Sequence, residues 1–296
     1  QDISKPMKAQ GAAIVEVNAG PGLLMHLKPA TGKPRPVGQA IAAHLFAPDS
    51  EPRIPVVGVI GQENTTGTSH LIAWLLHLQG LQTGLSSAKG LFLGQRCLQN
   101  QSGMEWESAQ RLLINRSLEA AVFETTARHL LSEGLPYDRC QVGIITSMPK
   151  AEGLQDLYIQ NDEQMPNVVR TQMDVVLTNG MAVLNADDEA VSNLAQYCDG
   201  EVIYFATSED NPLIVKHRSE NGRVVFWRKN HLVLAQGDQE IDALNRQLPA
   251  IDKLIKNQHL KCTEVLAASA AAWALGIQTD LIRAGIKSFG QSPGSH

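Results

Sequence analysis

The chain has few cysteines, no excess of positive charge and no long apolar run. Its four cysteines (Cys97, Cys140, Cys198 and Cys262) are scattered and form no CxxC pair, which argues against a disulfide framework and against a zinc site. The net charge of −5 offers no attraction to nucleic acid or to an anionic membrane. No apolar run reaches the roughly 18 residues needed to cross a bilayer. These absences predict a cytoplasmic globular protein that binds neither nucleic acid nor membrane.

The start of the chain also lacks two features. It begins with Gln1 rather than Met, and no signal-peptide pattern follows. Because a strand-like segment comes soon afterwards, we expect the sequence to be a piece of a longer protein. With 296 residues, 43% of them hydrophobic and 19% charged, it has room for one large or two ordinary globular domains.

One stretch, residues 55–78, organises the rest of the chain and reads PVVGVIGQENTTGTSHLIAWLLHL. Its apolar run predicts a strand over residues 55–60, followed by a small-residue loop over 61–69 and a helix over 70–78. A strand, such a loop and a helix form the opening unit of nucleotide-binding domains, where backbone N–H groups collect phosphate. We therefore expect a phosphate-binding loop in this stretch.

The expected loop lacks the lysine that phosphate binding needs. Such loops carry Gly-Lys-[Ser/Thr], so that the lysine reaches the outer phosphates. Here the corresponding place reads Asn64, Thr65 and Thr66, and no lysine occurs between Arg53 and Lys89. The sequence therefore predicts a nucleotide-binding fold whose loop is degenerate.

Residues 11–18, GAAIVEVN, read as a strand that carries an acid and an amide two positions apart. Strand alternation places Glu16 and Asn18 on the same face, where two oxygen ligands suit Mg²⁺. The turn that follows, residues 19–22, offers backbone amides for a carboxylate or phosphate oxygen. The same pattern also fits an edge strand whose Glu16 and Asn18 are simply solvated, followed by an ordinary turn.

Further along, proline and glycine mark a domain boundary near residues 47–54. Beyond it, strands and helices alternate, which is typical of a mostly parallel α/β sheet flanked by helices. The predicted strands are 81–86, 120–124, 142–146, 181–185 and 202–206, with hairpins at 91–93/96–98 and 224–228/231–235. The predicted helices are 37–46, 108–113, 128–133, 166–176, 188–197, 262–275 and 279–288, the last capped by Thr279.

Five parts of the chain resemble the cyanophycin synthetase family, whose members join an ATP-grasp domain to a Mur-ligase-like domain. The matching parts are residues 11–27, 53–61, 117–124 together with 133–142, 182–188 and 275–289. Their joint order is specific to that family. The resemblance implies the end of an ATP-grasp domain at residues 1–47, a linker at 48–54 and a degenerate Mur-like central domain at 55–296, without the third Mur domain that closes over ATP.

The resemblance also implies roles for residues of the ATP-grasp part. Glu16 and Asn18 match the family's Glu-x-Asn pair for magnesium. Gly20, Pro21 and Gly22 match the turn that follows it, which would lie close to substrate. ATP and Mg²⁺ are the implied cofactors of this site.

The Mur-like part departs from the family pattern at several chemically important positions. The family loop Gly-Thr-Asn-Gly-Lys-Thr-Thr corresponds to residues 61–67 from Gly61 onward, so the lysine position holds Thr65. Glu63 adds a negative charge where polyphosphate would lie. Glu124 matches a Mur magnesium ligand, but its Asp-His partner is replaced in the segment 148–153, which makes Glu124 a vestigial ligand. An asparagine that helps to bind the nucleotide is replaced by Glu264, which alone could be a harmless surface acid.

These losses favour the second type of cyanophycin synthetase, which polymerises ready-made β-aspartyl-arginine dipeptides with one ATP-grasp site. The implied partners are that dipeptide, the cyanophycin polymer and further copies of the chain, as a homodimer or larger oligomer. The Mur-like part would then be an inactive scaffold. Two alternatives remain: a two-site synthetase or Mur-type ligase whose variant loop still works, and a non-enzymatic module that binds nucleotide or polymer.

Overall fold

The computed structural model describes residues 5–11, 19–20, 22–46, 53–245 and 260–290. The chain divides into two compact units, Gln1–Arg53 and Ile54–His296. The described part of the first unit contains short helices with no buried residue, namely α1 (Met7–Gln10), α2 (Leu24–Leu27) and α3 (Val37–Leu45). The strand expected at residues 11–18 lies, apart from Gly11, outside the described residues.

Among the described residues, the strands of the second unit form one eleven-stranded sheet. The strands are β1 (Val56–Ile60), β2 (Thr83–Ser87), β3 (Gly90–Leu93), β4 (Arg96–Gln99), β5 (Ala120–Thr125), β6 (Cys140–Ile145), β7 (Val176–Asn185), β8 (Glu201–Ala206), β9 (Arg223–Arg228), β10 (His231–Gln236) and β11 (Gln239–Asn245). Their order across the sheet is β11-β10-β9-β8-β7-β6-β1-β5-β2-β3-β4. Strands β2, β5, β1, β6, β7, β8 and β9 run parallel, and an antiparallel pair extends each edge.

Helices cover both faces of this sheet. They are α4 (Thr65–Leu78), α5 (Trp106–Leu113), α6 (Ala127–Ser132), α7 (Met165–Asp174), α8 (Glu189–Ser192), α9 (Pro212–Ser219), α10 (Cys262–Ala274) and α11 (Thr279–Ser288). Alternate residues of β1 enter two different hydrophobic clusters: Val57 and Val59 join the one under α4, α10 and α11, whereas Val56 and Ile60 join the one under α5 to α9. Every residue of β1 is therefore buried, as expected for a parallel strand covered on both sides.

The mostly parallel sheet flanked by helices, predicted from the alternation of elements, is confirmed. The main difference concerns α4, which begins at Thr65 and not at residue 70 as predicted. Small hydroxyl residues favour turns, but here Thr68 Oγ1 donates to Asn64 O and Ser69 Oγ to Thr65 O, so their hydroxyls bond within the helix. The expected loop therefore loses its last five residues to the helix.

Two further predictions about helix ends were wrong. The helix expected over 188–197 is α8 followed by a 3₁₀ segment, Asn193–Tyr197. Helix α11 is capped by Gln278 rather than Thr279, and that cap makes no side-chain hydrogen bond. The sequence interpretation missed α9 and β11, although the Asn211 side chain caps α9 and Pro212 opens it. No helix in the described part of the chain is long and apolar enough to cross a membrane.

Candidate nucleotide site of the second unit

The predicted loop residues and Glu124 meet at one edge of the sheet. Strand β1 lies between β5 and β6 and runs parallel to both, with Val59 opposite Glu124 and Ile60 opposite Ile145. The segments that follow β1 and β6, together with the end of β5, therefore lie side by side at the carboxyl edge. In open α/β sheets this edge is where ligands bind.

The turn into α4 is tight and depends on a glycine. A Cβ atom at Gly61 would lie 2.1 Å from Thr146 Oγ1, so a larger residue there would collide with the segment after β6. Asn64 takes a left-handed conformation with φ of 64° immediately before α4. Its side-chain oxygen is buried and has no hydrogen-bond donor among the described residues.

Two hydroxyl groups from the segment after β6 hold the loop. The backbone N–H groups of Gln62 and Glu63 both donate to Ser147 Oγ, at 3.1 and 3.0 Å. Thr146 Oγ1 donates to the carbonyl of Glu63 at 2.6 Å. In a phosphate-binding loop such amides point at the ligand. Here a protein hydroxyl takes the place of a phosphate oxygen for two of them.

Glu124 is bonded to the two threonines of the loop. Thr65 Oγ1 and Thr66 Oγ1 donate to Glu124 Oε1 at 2.8 and 2.6 Å, and the Ala88 N–H donates to Oε2 at 2.9 Å. Glu124 as a residue is only 4% exposed, so these three donors replace the water that its carboxylate would have in solution. The hydroxyl of Thr66, which holds Mg²⁺ in phosphate-binding loops, is committed to a carboxylate instead.

Glu264 fills space beside the first turn of α4. It is buried, which corrects the interpretation of this residue as a surface acid. Its Oε2 accepts the Lys261 N–H at 2.5 Å, and a Cβ at Gly67 would lie 2.3 Å from its carboxyl group. Burial raises the pKa of Glu264, while hydrogen bonding from the backbone of Lys261 opposes that rise.

Positive charge near the loop is weak. Lys261 Nζ lies 3.5 Å from Glu63 Oε2, and both side chains are more than half exposed, so this ion pair contributes little. His70 accompanies Ser87, with 3.0 Å between Nε2 and Oγ. Burial, aided by the positive charge of Lys89, lowers the pKa of His70 to about 4, so the imidazole is neutral at pH 7.

ATP with Mg²⁺ does not fit the residues of this site. The lysine position holds a threonine, the Gln62 and Glu63 amides are bonded to Ser147, and Glu124 is bonded to the loop itself. In the described part of the chain, no three His, Cys, Asp or Glu side chains are grouped so that they could hold a metal ion.

Of the residues predicted for the ATP-grasp site, the structure describes Gly20 and Gly22. Glu16, Asn18 and Pro21 lie outside the described residues, so their predicted roles remain predictions. Gly20 and Gly22 are described and exposed, and a Cβ at either position would have no neighbour within 4 Å.

The sequence interpretation missed Thr146 and Ser147. The available signal was their position: Thr146 ends the strand expected over 142–146, and Ser147 follows it. In a parallel sheet, polar residues at the carboxyl edge of a strand tend to meet a ligand or a loop. Nothing in the sequence indicated that the Ser147 hydroxyl would turn toward the loop amides.

Comparison with protein-family models gives no match for this chain. Among curated proteins, the cyanophycin synthetase of Geminocystis herdmanii is 34% identical over 298 residues, which cover 100% of this chain and 33% of that relative. The cyanophycin synthetase of a Synechocystis species is 32% identical over 289 residues, which cover 97% of this chain and 33% of that relative. The chain thus spans about 33% of the length of these curated relatives.

Among solved structures, the chain is similar to a UDP-N-acetylmuramoyl-L-alanyl-D-glutamate–2,6-diaminopimelate ligase. The TM-score is 0.59 at 14% identity, and the match covers 83% of this chain and 48% of that one. At so low an identity the likeness concerns the fold alone, which the two proteins share. The chain is therefore a relative of the cyanophycin synthetases over its whole length, with a Mur-ligase-like fold.

Proposed function

We propose that the chain is part of an ATP-dependent peptide ligase that polymerises β-aspartyl-arginine dipeptides into cyanophycin. The chemistry would take place in an ATP-grasp domain to which the first unit belongs. The second unit would be a structural scaffold that binds no nucleotide. The proposal extends the similarity to cyanophycin synthetases, whose matched segments amount to about 33% of their length.

The observation that carries the proposal is the internal bonding of the nucleotide loop. Its threonine hydroxyls are bonded to Glu124, and the Gln62 and Glu63 amides to Ser147. Phosphoryl transfer depends on positive charge against the transferring oxygens, and a threonine hydroxyl supplies none. A ligase with two working sites would need this loop, whereas a ligase with one site elsewhere would not.

Joining preformed dipeptides requires one kind of bond. The carboxylate at the end of the growing chain is converted to an acyl phosphate, with ATP as phosphoryl donor and ADP as product. The α-amine of the incoming dipeptide then attacks the acyl carbon, so that an amide forms and inorganic phosphate leaves. Magnesium would neutralise the developing phosphate charge. In this proposal Glu16 and Asn18 hold the metal, and Gly20, Pro21 and Gly22 lie beside the substrate.

The second unit would then support assembly, and we expect the complete protein to form a homodimer or larger homo-oligomer. A variant loop that still works remains the alternative, because Thr66 and Glu124 lie within hydrogen-bond distance at the carboxyl edge of the sheet. In that case the two residues would have to release each other before they could hold a metal.

The test follows polymer formation by the complete protein, supplied either with β-aspartyl-arginine and ATP or with aspartate, arginine and ATP. We expect growth only from the dipeptide. Glu16→Gln should abolish that growth, and Thr65→Lys should leave it unchanged. Growth from the free amino acids would favour a working second site and would overturn the scaffold proposal.

A further inference from the structure

Helix α4, which follows the nucleotide loop, does not satisfy its own first turn. It carries no acidic residue there, and the side chain of its N-cap residue, Asn64, makes no capping hydrogen bond. The first backbone N–H groups of a helix have no partner within the helix and need acceptors from elsewhere. The start of α4 therefore depends on groups from other parts of the chain.

Glu264, the third residue of α10, supplies an acceptor to α4. Its carboxyl group lies against Gly67, the third residue of α4, so closely that a Cβ atom on Gly67 would lie 2.3 Å from Oε1. The backbone N–H groups of Gly67 and Lys261 both hydrogen-bond to this carboxylate, and the Lys261 nitrogen lies 2.5 Å from Oε2. Only 8% of Glu264 is exposed. One buried carboxylate thus serves the starts of two helices.

The surroundings of this carboxylate favour a negative charge. The positive ends of two helix dipoles converge on it, and helix starts are where proteins bind phosphate and carboxylate groups. Burial raises the pKa of Glu264, whereas the backbone hydrogen bonds from Lys261 and Gly67 and the positive charges of Lys261 and Lys89 oppose that rise. Glu264 is therefore an acid placed where the fold receives an anion.

Capping of α10 alone does not explain this arrangement. An acid at the third position of a helix commonly accepts the N–H of the N-cap residue, as Glu264 does with Lys261. Asp280 in the first turn of α11 shows the ordinary case, since it is exposed and pairs with Arg283 of its own helix. Glu264 is buried and also reaches a second helix, at a glycine that leaves room for its carboxyl group.

We propose that Glu264 is an internal anion that closes the start of α4 to anions from solution, as an autoinhibitory contact. A phosphate group approaching this place would meet a like charge and an N–H group that is already bonded. The inference deepens the proposed silence of the second unit and rests on that part of the proposed function. It assigns the silence to one side chain, in addition to the missing lysine.

The test is calorimetric titration of inorganic phosphate into the 296-residue chain and into its Glu264→Ala variant, at an ionic strength held constant with sodium chloride. The substitution leaves the Gly67 N–H without its acceptor and removes the like charge. We expect phosphate to bind the variant with a dissociation constant of about 1 mM and the unchanged chain at least about tenfold more weakly. Phosphate should then raise the melting temperature of the variant alone. Equal affinities for the two chains would overturn the proposal.

Two further variants separate occupancy from net charge. Glu264→Gln keeps the size of the side chain, so the position stays filled and phosphate should bind no better than to the unchanged chain. Asp280→Ala removes an exposed first-turn acid from α11 and should also leave phosphate binding unchanged. A gain in either variant equal to that in Glu264→Ala would contradict the proposal, because the gain would not depend on vacating the place beside Gly67.

A double-mutant cycle tests the contact without Glu264→Ala, in case that variant does not fold. Gly67→Ala presses a Cβ atom against the Glu264 carboxyl group and should lower the melting temperature. Glu264→Asp keeps the charge on a side chain shorter by one methylene group, so Gly67→Ala should cost less in that background. Additive costs would show that the carboxyl group does not lie against α4 and would overturn the proposal.

The outcomes separate this inference from the proposed function. If the complete protein grows polymer only from the dipeptide, but Glu264→Ala binds phosphate no better than the unchanged chain, the inference fails and the proposed function stands. If Glu264→Ala gains phosphate binding while the complete protein grows no polymer from the dipeptide, the proposed function fails and the contact stands. Tight phosphate binding by the unchanged chain, together with growth from free amino acids, would contradict both.

Discussion

The nucleotide loop and the start of α5 differ in how their polar groups are satisfied. At the loop, Glu124 has three donors and the amides of Gln62 and Glu63 are bonded to Ser147. At the start of α5, Glu105 Oε2 is buried and has no donor among the described residues. Pairing within the protein satisfies the loop without a ligand, whereas the Glu105 oxygen has lost its water and gained no partner among the described residues.

Asn64 Oδ1 is an exception at the loop, because it is buried and unpartnered there as well. It is an acceptor, however, and it follows Glu63 directly in the sequence, at the same edge of the sheet as Glu124. An additional acceptor gives an anionic phosphate no attraction. The two regions therefore differ in that most polar groups of the loop are paired within the protein, whereas the buried Glu105 oxygen has no partner among the described residues.

The largest expected effect comes from removing the centre of the loop network. Glu124→Ala leaves the hydroxyls of Thr65 and Thr66 and the Ala88 N–H without their acceptor, and we expect a loss of about 3 kcal/mol in the free energy of unfolding. Urea denaturation measures it. Glu105→Ala, at the start of α5, is the matched control, and its cost should be well below that of Glu124→Ala, because no hydrogen bond from the described residues is lost at Oε2.

The next effect concerns the close approach that fixes the loop. Gly61→Ala would place a Cβ 2.1 Å from Thr146 Oγ1 and 3.1 Å from the Ser147 backbone nitrogen, so the segment after β6 must move. We expect a loss of about 2 kcal/mol, typical of overpacking. Gly20→Ala, with open space around its Cβ, should change the unfolding free energy by less than about 0.5 kcal/mol. Equal effects would show that the loop is not held as described.

A smaller effect is expected from the hydroxyl that holds the loop amides. Ser147→Ala removes the acceptor for the Gln62 and Glu63 N–H groups, which can then bond to water because both residues are exposed. We expect about 1 kcal/mol of destabilisation, measured by thermal denaturation. Ser219→Ala, on an exposed helix end, should cost less. Stabilisation of Ser147→Ala by millimolar phosphate, but not of the unchanged chain, would show that the hydroxyl occupies an anion site.

The smallest expected effect concerns the ion pairs of Glu240 on β11, an edge strand of the sheet. Arg228 and Arg218 lower the pKa of Glu240 from 4.5 to about 2, and their ion pairs measure 2.7 and 2.6 Å. Because the folded pKa is depressed, the stabilisation is complete above the ordinary pKa and is lost as the pH falls from 4.5 through about 2. The difference in urea midpoint between the unchanged chain and Glu240→Gln should therefore shrink over that interval. A difference that does not depend on pH would contradict the assignment.

The fold could be predicted from the sequence because its signals are local and repeated. Buried strands such as β1 and β5 are continuous apolar runs, and their alternation with helices fixes a parallel sheet. The start of α4 could not be predicted, since Thr65 to Ser69 favour turns until their hydroxyls find partners in the folded chain.

The site was predictable in composition but not in geometry. The missing lysine at Thr65 and the match at Glu124 are visible in the sequence, and they indicated a degenerate loop. That Thr65 and Thr66 bond to Glu124, and that Ser147 takes the loop amides, depends on contacts between residues more than 50 positions apart.

Nucleotide binding by the second unit is the most direct test. ATP with Mg²⁺ would be titrated calorimetrically into the 296-residue chain and, in parallel, into its Glu16→Gln variant, which disables the metal site proposed for the first unit. We expect no binding to the Glu16→Gln chain at ATP concentrations of about 1 mM. Binding with a dissociation constant of about 10 µM or tighter in that variant, abolished by Gly61→Val, would contradict a silent nucleotide loop.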